Sequence, residues 1–145
     1  MTTFFLDTNV LIYSRSSPSS MYSDPCMEIL DAIERDEVDA LISTAVLEEV
    51  WNLELTDRVG AIDGLTAIAH KLFAPVLAVT DEIFARALTL PHSKIGAKDR
   101  VHVATCLEHD IDRIVTADKG FDTVAGMRRI DPRGGVAPLL SDEQE

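Results

Sequence analysis

Short apolar segments that alternate with helical patterns are the feature that most limits what this chain can fold into. Apolar residues between these segments recur at the three- and four-residue spacing of helix faces. Strands alternating with helices favour an α/β sandwich built on a mainly parallel sheet. The predicted strands lie within residues 3–7, 39–43, 75–79, 113–118 and 127–131.

The predicted helices fill the intervals between these strands. Ser23 and Pro25 are typical of a helix cap and first turn, and Thr80 of a cap. A length of 145 residues suits one domain, which we place at residues 1–132. Residues 133–145 are rich in Gly, Pro and acids and are predicted to form a loose acidic tail. The helical segments are 8–14, 23–36, 44–55, 58–73, 80–90 and 97–110, with one further turn at 119–124.

Composition narrows the class of protein. A hydrophobic fraction of 46% is ordinary for a soluble globular domain. No apolar run approaches the roughly 18 residues that a membrane span needs, so no membrane partner is expected. Two distant cysteines, Cys26 and Cys106, favour a reducing cytoplasm over a disulfide scaffold. The net charge of −12 argues against a protein that grips nucleic acid over its whole surface, although a local basic track is compatible with it.

One carboxylate lies where the sequence predicts core. In FFLDTNVLIYS (residues 4–14), Asp7 separates two apolar runs. An unpaired buried carboxylate costs several kcal/mol unless a partner, a metal or a proton compensates. Capping of the next helix is the simple alternative. Asp118, however, follows the apolar segment RIVTA in the same way. In parallel sheets such strand ends meet at one edge, where sites form.

Two further acids lie on the inward faces of predicted helices. Asp99 shares a face with Val103, Cys106 and Leu107, which form the apolar stripe of the 97–110 helix. Glu49 lies on the inward face of the 44–55 helix, whereas Glu48 falls about 100° round it. We therefore favour Glu49 and keep Glu48 as the alternative.

Four acids from separate segments indicate a pocket of oxygen ligands. Mg²⁺ and Mn²⁺ prefer carboxylates and water, whereas zinc more often recruits His or Cys. The four histidines show no HExxH-like spacing. Such a pocket suits phosphodiester hydrolysis, in which the cation neutralises charge that grows on the phosphate.

The acidic motifs also carry a family resemblance. They lie in FFLDTNVLIY, ISTAVLEEV and AKDRVHVATCLEHDIDRIVTADKGFD, and these segments closely resemble the PIN-domain family and its VapC-type ribonuclease toxins. The resemblance spans Thr3 to about Ile130. It implies a three-layer α/β/α sandwich, Mg²⁺- or Mn²⁺-dependent RNA cleavage, a homodimer, and a small antitoxin that inserts a basic side chain into the pocket. The implied catalytic and metal-binding acids are Asp7, Glu49, Asp99 and Asp118, with Asp122 as a further metal contact and with Asn9 and Thr116 orienting the acids.

Several of these residues also have simpler interpretations. Asp122 after a short turn is as typical of a solvated cap as of a ligand. His102 is predicted to be a satisfied, partly buried histidine, and His92 a surface residue. Trp51 is expected in the core or in a dimer interface. Candidate phosphate contacts, which could equally be solvated charges, are Lys94, Lys98, Arg100 and Lys119.

Two other functions compete with the ribonuclease. A haloacid-dehalogenase-type phosphatase would need an acid two residues after Asp7, but that position is Asn9, which cannot transfer a proton. The other is a catalytically inactive PIN-like module that binds RNA or protein. A binding module has no need for a pocket of mutually repelling carboxylates, so this alternative explains less of the sequence.

Overall fold

Four short parallel strands form the centre of the fold in a computed structural model, which describes residues 2–15, 20–57, 59–91 and 94–142. Their order in the sheet is β2-β1-β3-β4. The side chains of β1 that point to opposite faces, Phe4, Phe5 and Leu6, are all fully buried, so both faces of the sheet are covered. The predicted α/β sandwich is confirmed. The strands are β1 (Thr3–Leu6), β2 (Asp39–Leu41), β3 (Arg113–Val115) and β4 (Arg128–Ile130).

Three of the described α-helices begin at a side-chain cap. The cap predicted at Ser23 is wrong, because Ser23 is the first residue of its helix and the preceding Tyr22 makes no side-chain capping hydrogen bond. Ser43 and Thr80 each accept a hydrogen bond from a backbone N–H inside the following helix, which confirms the predicted cap at Thr80. Asp7 also caps the helix that follows it. Among the described residues, none of the helices has the length and apolar character needed to cross a bilayer. The helices are α1 (Thr8–Tyr13), α2 (Ser23–Glu34), α3 (Thr44–Thr56), α4 (Leu65–Leu72), α5 (Asp81–Leu88), α6 (Ala97–Glu108) and α7 (Ala137–Asp142), with 3₁₀ turns at Lys119–Thr123 and Pro132–Gly134.

Two predicted segments differ from the structure. The strand predicted at 75–79 is wrong, because the only pairing described there is one isolated bridge between Leu77 and Ser43. Pro75 cannot donate a ladder hydrogen bond, which limits pairing at this end of the segment. The helix predicted over 58–73 covers only residues 65–72. Gly64 precedes it with a φ of 81°, a conformation outside the right-handed helix.

The loose tail predicted after residue 132 is also wrong as far as residue 142. The chain turns at Pro132–Gly134 and then forms α7, on which Leu139 is fully buried. The backbone N–H of Val136 donates to Oε1 of Glu28 on α2 at 3.0 Å. Apolar burial and this hydrogen bond therefore hold the segment against the core. Residues 143–145 lie outside the described residues.

Candidate active site

The ends of two neighbouring strands bring Asp7 and Asp118 to one edge of the sheet. β1 pairs with β3 in parallel, with Leu6 opposite Val115, and the two acids follow these strands. Thr116 connects them. Its hydroxyl donates to Oδ2 of Asp7 at 2.7 Å and accepts the backbone N–H of Asp118 at 3.1 Å. The topological prediction for the two acids is confirmed.

Asp7 is a helix cap and a member of this acidic cluster at the same time. Its Oδ1 accepts the backbone N–H of Thr8 at 2.8 Å, and its Oδ2 accepts the Asn9 amide at 3.3 Å. Asn9 also donates to the Thr116 hydroxyl at 3.0 Å and accepts the N–H of Ala117 at 3.3 Å. Burial raises the pKa of Asp7, although the charge of His102 and these hydrogen bonds oppose the rise. The carboxylate is therefore held rigidly at an energetic cost.

The first turn of α6 adds Asp99. The pKa of this carboxyl is raised from 3.8 to about 6, chiefly by burial and next by the negative charge of Asp7. The nearby charge of His102 acts in the opposite direction, while Asp118 and Glu49 add to the rise. A carboxyl whose pKa is raised by burial and by neighbouring acids is typical of a site that a cation would complete.

Helix α3 contributes Glu49 and not its neighbour. Oε1 of Glu49 lies 2.9 Å from Nε2 of His102, and Oε2 lies 3.7 Å from the Lys98 ammonium. Burial by itself would raise the pKa of Glu49, but the hydrogen bond and charge of His102, together with Lys98, lower it. Glu48 is exposed. The inward acid predicted from helical spacing is thus the one that reaches the cluster.

His102 lies deeper than the sequence indicated. It is fully buried on α6, one turn after Asp99, and its Nδ1 has no hydrogen-bond partner among the described residues. The prediction of a satisfied, partly buried histidine is therefore wrong on burial, and it holds for only one ring nitrogen, Nε2, which is paired with Glu49. Burial lowers the pKa of His102, but the hydrogen bond to Glu49 and the charge of Asp7 outweigh this and raise it overall. The three-residue spacing from Asp99 is the signal that could have placed it in the site.

The side chains of this cluster fit a divalent cation. One ligand atom each from Asp7, Asp99 and His102 lies within 4.8 Å of the others. Ligand atoms about 2.1 Å from one octahedral ion are separated by about 3–4 Å. Asp118 is exposed at the rim, where its Oδ1 accepts the N–H of Gly120 at 2.8 Å. Oxygen donors dominate this set and suit a hard cation.

Asp122 is engaged elsewhere. Its Oδ1 accepts Nε of Arg129 at 2.9 Å, and the same guanidinium donates to the backbone carbonyl of Thr116 at 3.1 Å. Arg129 thereby joins the two ends of the segment that carries Asp118. The ligand role inferred for Asp122 stays a prediction.

The candidate phosphate contacts surround the cluster unevenly. Lys98 is 73% exposed and lies nearest, beside Glu49. Arg100 donates to the backbone carbonyls of Leu90 and Pro91, which fix part of its guanidinium. Lys94 and Lys119 are exposed. His92 lies outside the described residues. Contact of these cations with a phosphate stays a prediction.

The sequence predicts Trp51 either in the core or in a dimer interface, and the first of these predictions is wrong. It is 55% exposed, so it does not belong to the core. It lines a cleft of about 430 Å³ together with Glu48, Asn52, Leu55 and Lys98. The expected place in a dimer interface stays open.

Comparison with known proteins agrees with this geometry. The sequence profile of the PIN domain matches residues 4–127. Ribonuclease VapC13 of Mycobacterium tuberculosis is 29% identical over 137 residues, which cover 86% of this chain and 97% of the relative. The crystal structure of VapC20 from Mycobacterium tuberculosis, a sarcin-ricin loop cleaving toxin, matches with a TM-score of 0.65 at 17% identity, over 86% of this chain and 98% of that one.

A second structure shows the same fold. VapBC2 from Rickettsia felis, bound to a DNA fragment from its promoter, matches with a TM-score of 0.65 at 14% identity, over 90% of this chain and 100% of that chain. The profile match covers most of the sequence, and the VapC ribonuclease relatives match along most of the chain. The chain belongs to the PIN domain family and to its VapC-type branch.

Proposed function

We propose that this protein is a toxin endoribonuclease that depends on Mg²⁺ or Mn²⁺. The observation that carries the proposal is the convergence of Asp7, Glu49, Asp99 and Asp118 from four separate parts of the chain. Burial, together with repulsion from the neighbouring acids, raises the pKa of Asp99 to about 6, so the set is costly without a cation. The relative VapC13 bears the name ribonuclease, which supports RNA as the substrate.

The residues of the chain supply position and charge. Thr116 and Asn9 hold the Asp7 carboxylate in one orientation through hydrogen bonds to Oδ2. A divalent cation in the cluster would supply positive charge beside the scissile phosphate. Lys98, exposed at the mouth of the cluster, offers a second cation for an RNA phosphate. Asn9 cannot act as the acid of a phosphatase, so that alternative has no support in this geometry.

A small antitoxin is the partner we expect in the cell. VapBC2 is described as bound to a fragment of its promoter DNA, and related toxin–antitoxin complexes share the fold. An acidic pocket of the kind described above would attract a basic side chain from such a partner. A cytoplasmic location remains a prediction from the two cysteines, both of which are unpaired and buried.

A homodimer would explain one exposed apolar surface. We define the α3/α5 face as Trp51 and Leu55 on α3 with Phe84 and Leu88 on α5, whose exposures range from 51% to 75%. Two clefts in this region share Lys98 and Val101 on α6. Apolar patches of this kind typically mark protein interfaces.

Cleavage of a labelled total RNA or tRNA pool tests the ribonuclease. The wild-type protein is expected to cut RNA with Mg²⁺ or Mn²⁺ and to stop in EDTA. Asp7→Asn should lose cleavage while keeping its fold, because asparagine can still cap α1. Asp63→Asn, at an exposed loop position, is the matched control and should cut normally. Metal-dependent cutting by Asp7→Asn would refute the site, and RNA that is bound but left intact by the wild type would favour the inactive binding module.

A further inference from the structure

His102 places a nitrogen among the acids of the site. Its ring is fully buried and packs against Phe5, with the ring centroids 5.5 Å apart. Nε2 lies 2.9 Å from Oε1 of Glu49 and 3.7 Å from Oδ1 of Asp7. Distance alone permits two roles for this nitrogen. It could bind the cation as a ligand, or it could donate a hydrogen bond to Glu49.

The surroundings of the other ring nitrogen distinguish the two roles. Nδ1 is buried and has no hydrogen-bond partner in the part of the chain that the structure describes. A buried N–H without an acceptor costs about 1–3 kcal/mol. A neutral imidazole therefore carries its hydrogen on Nε2, where the carboxylate of Glu49 accepts it. A protonated imidazole carries a hydrogen on both nitrogens, so Nε2 donates to Glu49 in either state. We assign this tautomer from the partners of the two nitrogens.

A nitrogen that carries its hydrogen has no lone pair for a cation. Metal-binding imidazoles almost always donate their second ring N–H to a fixed acceptor, and Nδ1 has none among the described residues. We propose that His102 is a positioning residue whose Nε2–H holds Oε1 of Glu49, so that Oε2 is the oxygen presented to the cation. The proposal rests on the proposed function in that Glu49 is taken as a ligand.

The second oxygen of Glu49 is available for this role. Its ion-pair partner is the ammonium of Lys98 at 3.7 Å, on a side chain that is 73% exposed. An exposed lysine loses little when it turns into solvent, because surface ion pairs contribute about 0–1 kcal/mol. His102, by contrast, is enclosed by the core. Oε1 of Glu49 is thus held by His102, whereas Oε2 can exchange its contact with Lys98 for a cation. The ligand set then consists of oxygen atoms, although a histidine lies beside it.

Mn²⁺ binding measured by electron paramagnetic resonance tests the assignment in the intact protein. His102→Gln keeps an N–H donor and is expected to retain Mn²⁺ affinity to within about threefold of wild type. His102→Leu removes the donor and should weaken binding tenfold or more, as loss of groups that orient metal ligands typically does, by about 10–100-fold. His109→Gln, at an exposed position just after α6, is the matched control and should bind normally.

Pulsed resonance spectra give a readout that does not depend on the folding of His102→Leu. No nitrogen directly coordinated to Mn²⁺ is expected. A directly coordinated nitrogen that persists in His109→Gln and disappears in His102→Gln would overturn the proposal, as would full Mn²⁺ affinity in a folded His102→Leu. If His102→Leu does not fold, the wild-type spectrum and the affinity of His102→Gln still decide the question.

The same samples separate this inference from the function on which it rests. Wild-type protein that binds Mn²⁺ but cuts no RNA would refute the ribonuclease and leave the role of His102 standing. Mn²⁺ affinity that is unchanged in Glu49→Gln would instead overturn the positioning role, because Glu49 would not be the ligand that His102 holds.

Discussion

Replacing Asp99 with asparagine should stabilise the metal-free protein while weakening its hold on a cation. Burial, with help from the charge of Asp7, raises the pKa of this carboxyl from its ordinary 3.8 to about 6. Between about pH 4 and pH 6 the folded chain keeps a proton that the unfolded chain releases. The free energy of unfolding therefore falls as the pH rises from about 4 to about 6. Above about pH 6 the full cost of ionising Asp99 in the folded protein is present. Asparagine has no charge to bury.

The size of the effect follows from the same pKa values. One pKa unit corresponds to about 1.4 kcal/mol, so the rise from 3.8 to about 6 sets an upper limit of about 3 kcal/mol. Asp99 is only half-buried, and solvent screening reduces this limit. We expect Asp99→Asn to raise the free energy of unfolding by about 1–2 kcal/mol at pH 7.5. At pH 4.5 the gain should shrink to about a third, because the folded carboxyl is then mostly protonated.

Urea unfolding followed by circular dichroism measures this difference. Both proteins are unfolded in EDTA at pH 4.5 and pH 7.5, and again at pH 7.5 with saturating Mn²⁺. A cation that binds only the folded state stabilises it by about 2.7 kcal/mol at a concentration of 100 times Kd. Mn²⁺ should raise the free energy of unfolding of the wild type by about this amount and that of Asp99→Asn by less. The variant should therefore be the more stable protein in EDTA and the wild type the more stable one in Mn²⁺. Equal stabilities in EDTA at pH 7.5, or an advantage that grows as the pH falls, would refute the reasoning.

Three further substitutions test other parts of the structure. Leu139→Ala should lower the free energy of unfolding by about 2–4 kcal/mol, because it leaves a cavity at a buried position on α7. Leu140→Ala, at a 38% exposed position, is the control. Equal effects of the two substitutions would show that α7 is not packed against the core. Glu49→Gln should weaken Mn²⁺ binding in calorimetry far more than Glu48→Gln, and equal losses would contradict the choice of ligand. Arg129→Gln should lower the free energy of unfolding by about 1–3 kcal/mol because the carbonyl of Thr116 loses its charged donor, and unchanged urea midpoints would argue against this role.

The parts of the site that the sequence predicts are those governed by local patterns. Asp7 and Asp118 each follow a short apolar strand, and parallel strands place such residues at one edge. Glu49 and Asp99 lie on helix faces whose apolar stripes are readable at helical spacing. Each of these placements needs only a few neighbouring residues, which explains why all four acids can be located from the amino-acid sequence alone.

What the sequence does not predict depends on contacts between distant residues. His102 meets Glu49 across 53 positions, and no local pattern indicates which of the two nitrogens lacks a partner. The packing of α7 likewise depends on Glu28, 108 positions away from Val136. The expected strand at 75–79 has an apolar composition, but only Leu77 finds a pairing partner there. The composition of a segment indicates which secondary structure it can form, whereas contacts with distant residues decide whether that structure forms.

The double use of Asp7 has a consequence for how lineages of this protein can change. One carboxylate satisfies the first backbone N–H of α1 and also belongs to the acidic cluster. A descendant released from selection for activity can lose the charge, but it still needs an oxygen acceptor to start the helix. Asparagine, serine or threonine would then replace the aspartate more readily than an apolar residue. The substitution found at this position would thus reveal whether a lineage has abandoned the chemistry alone or the fold as well.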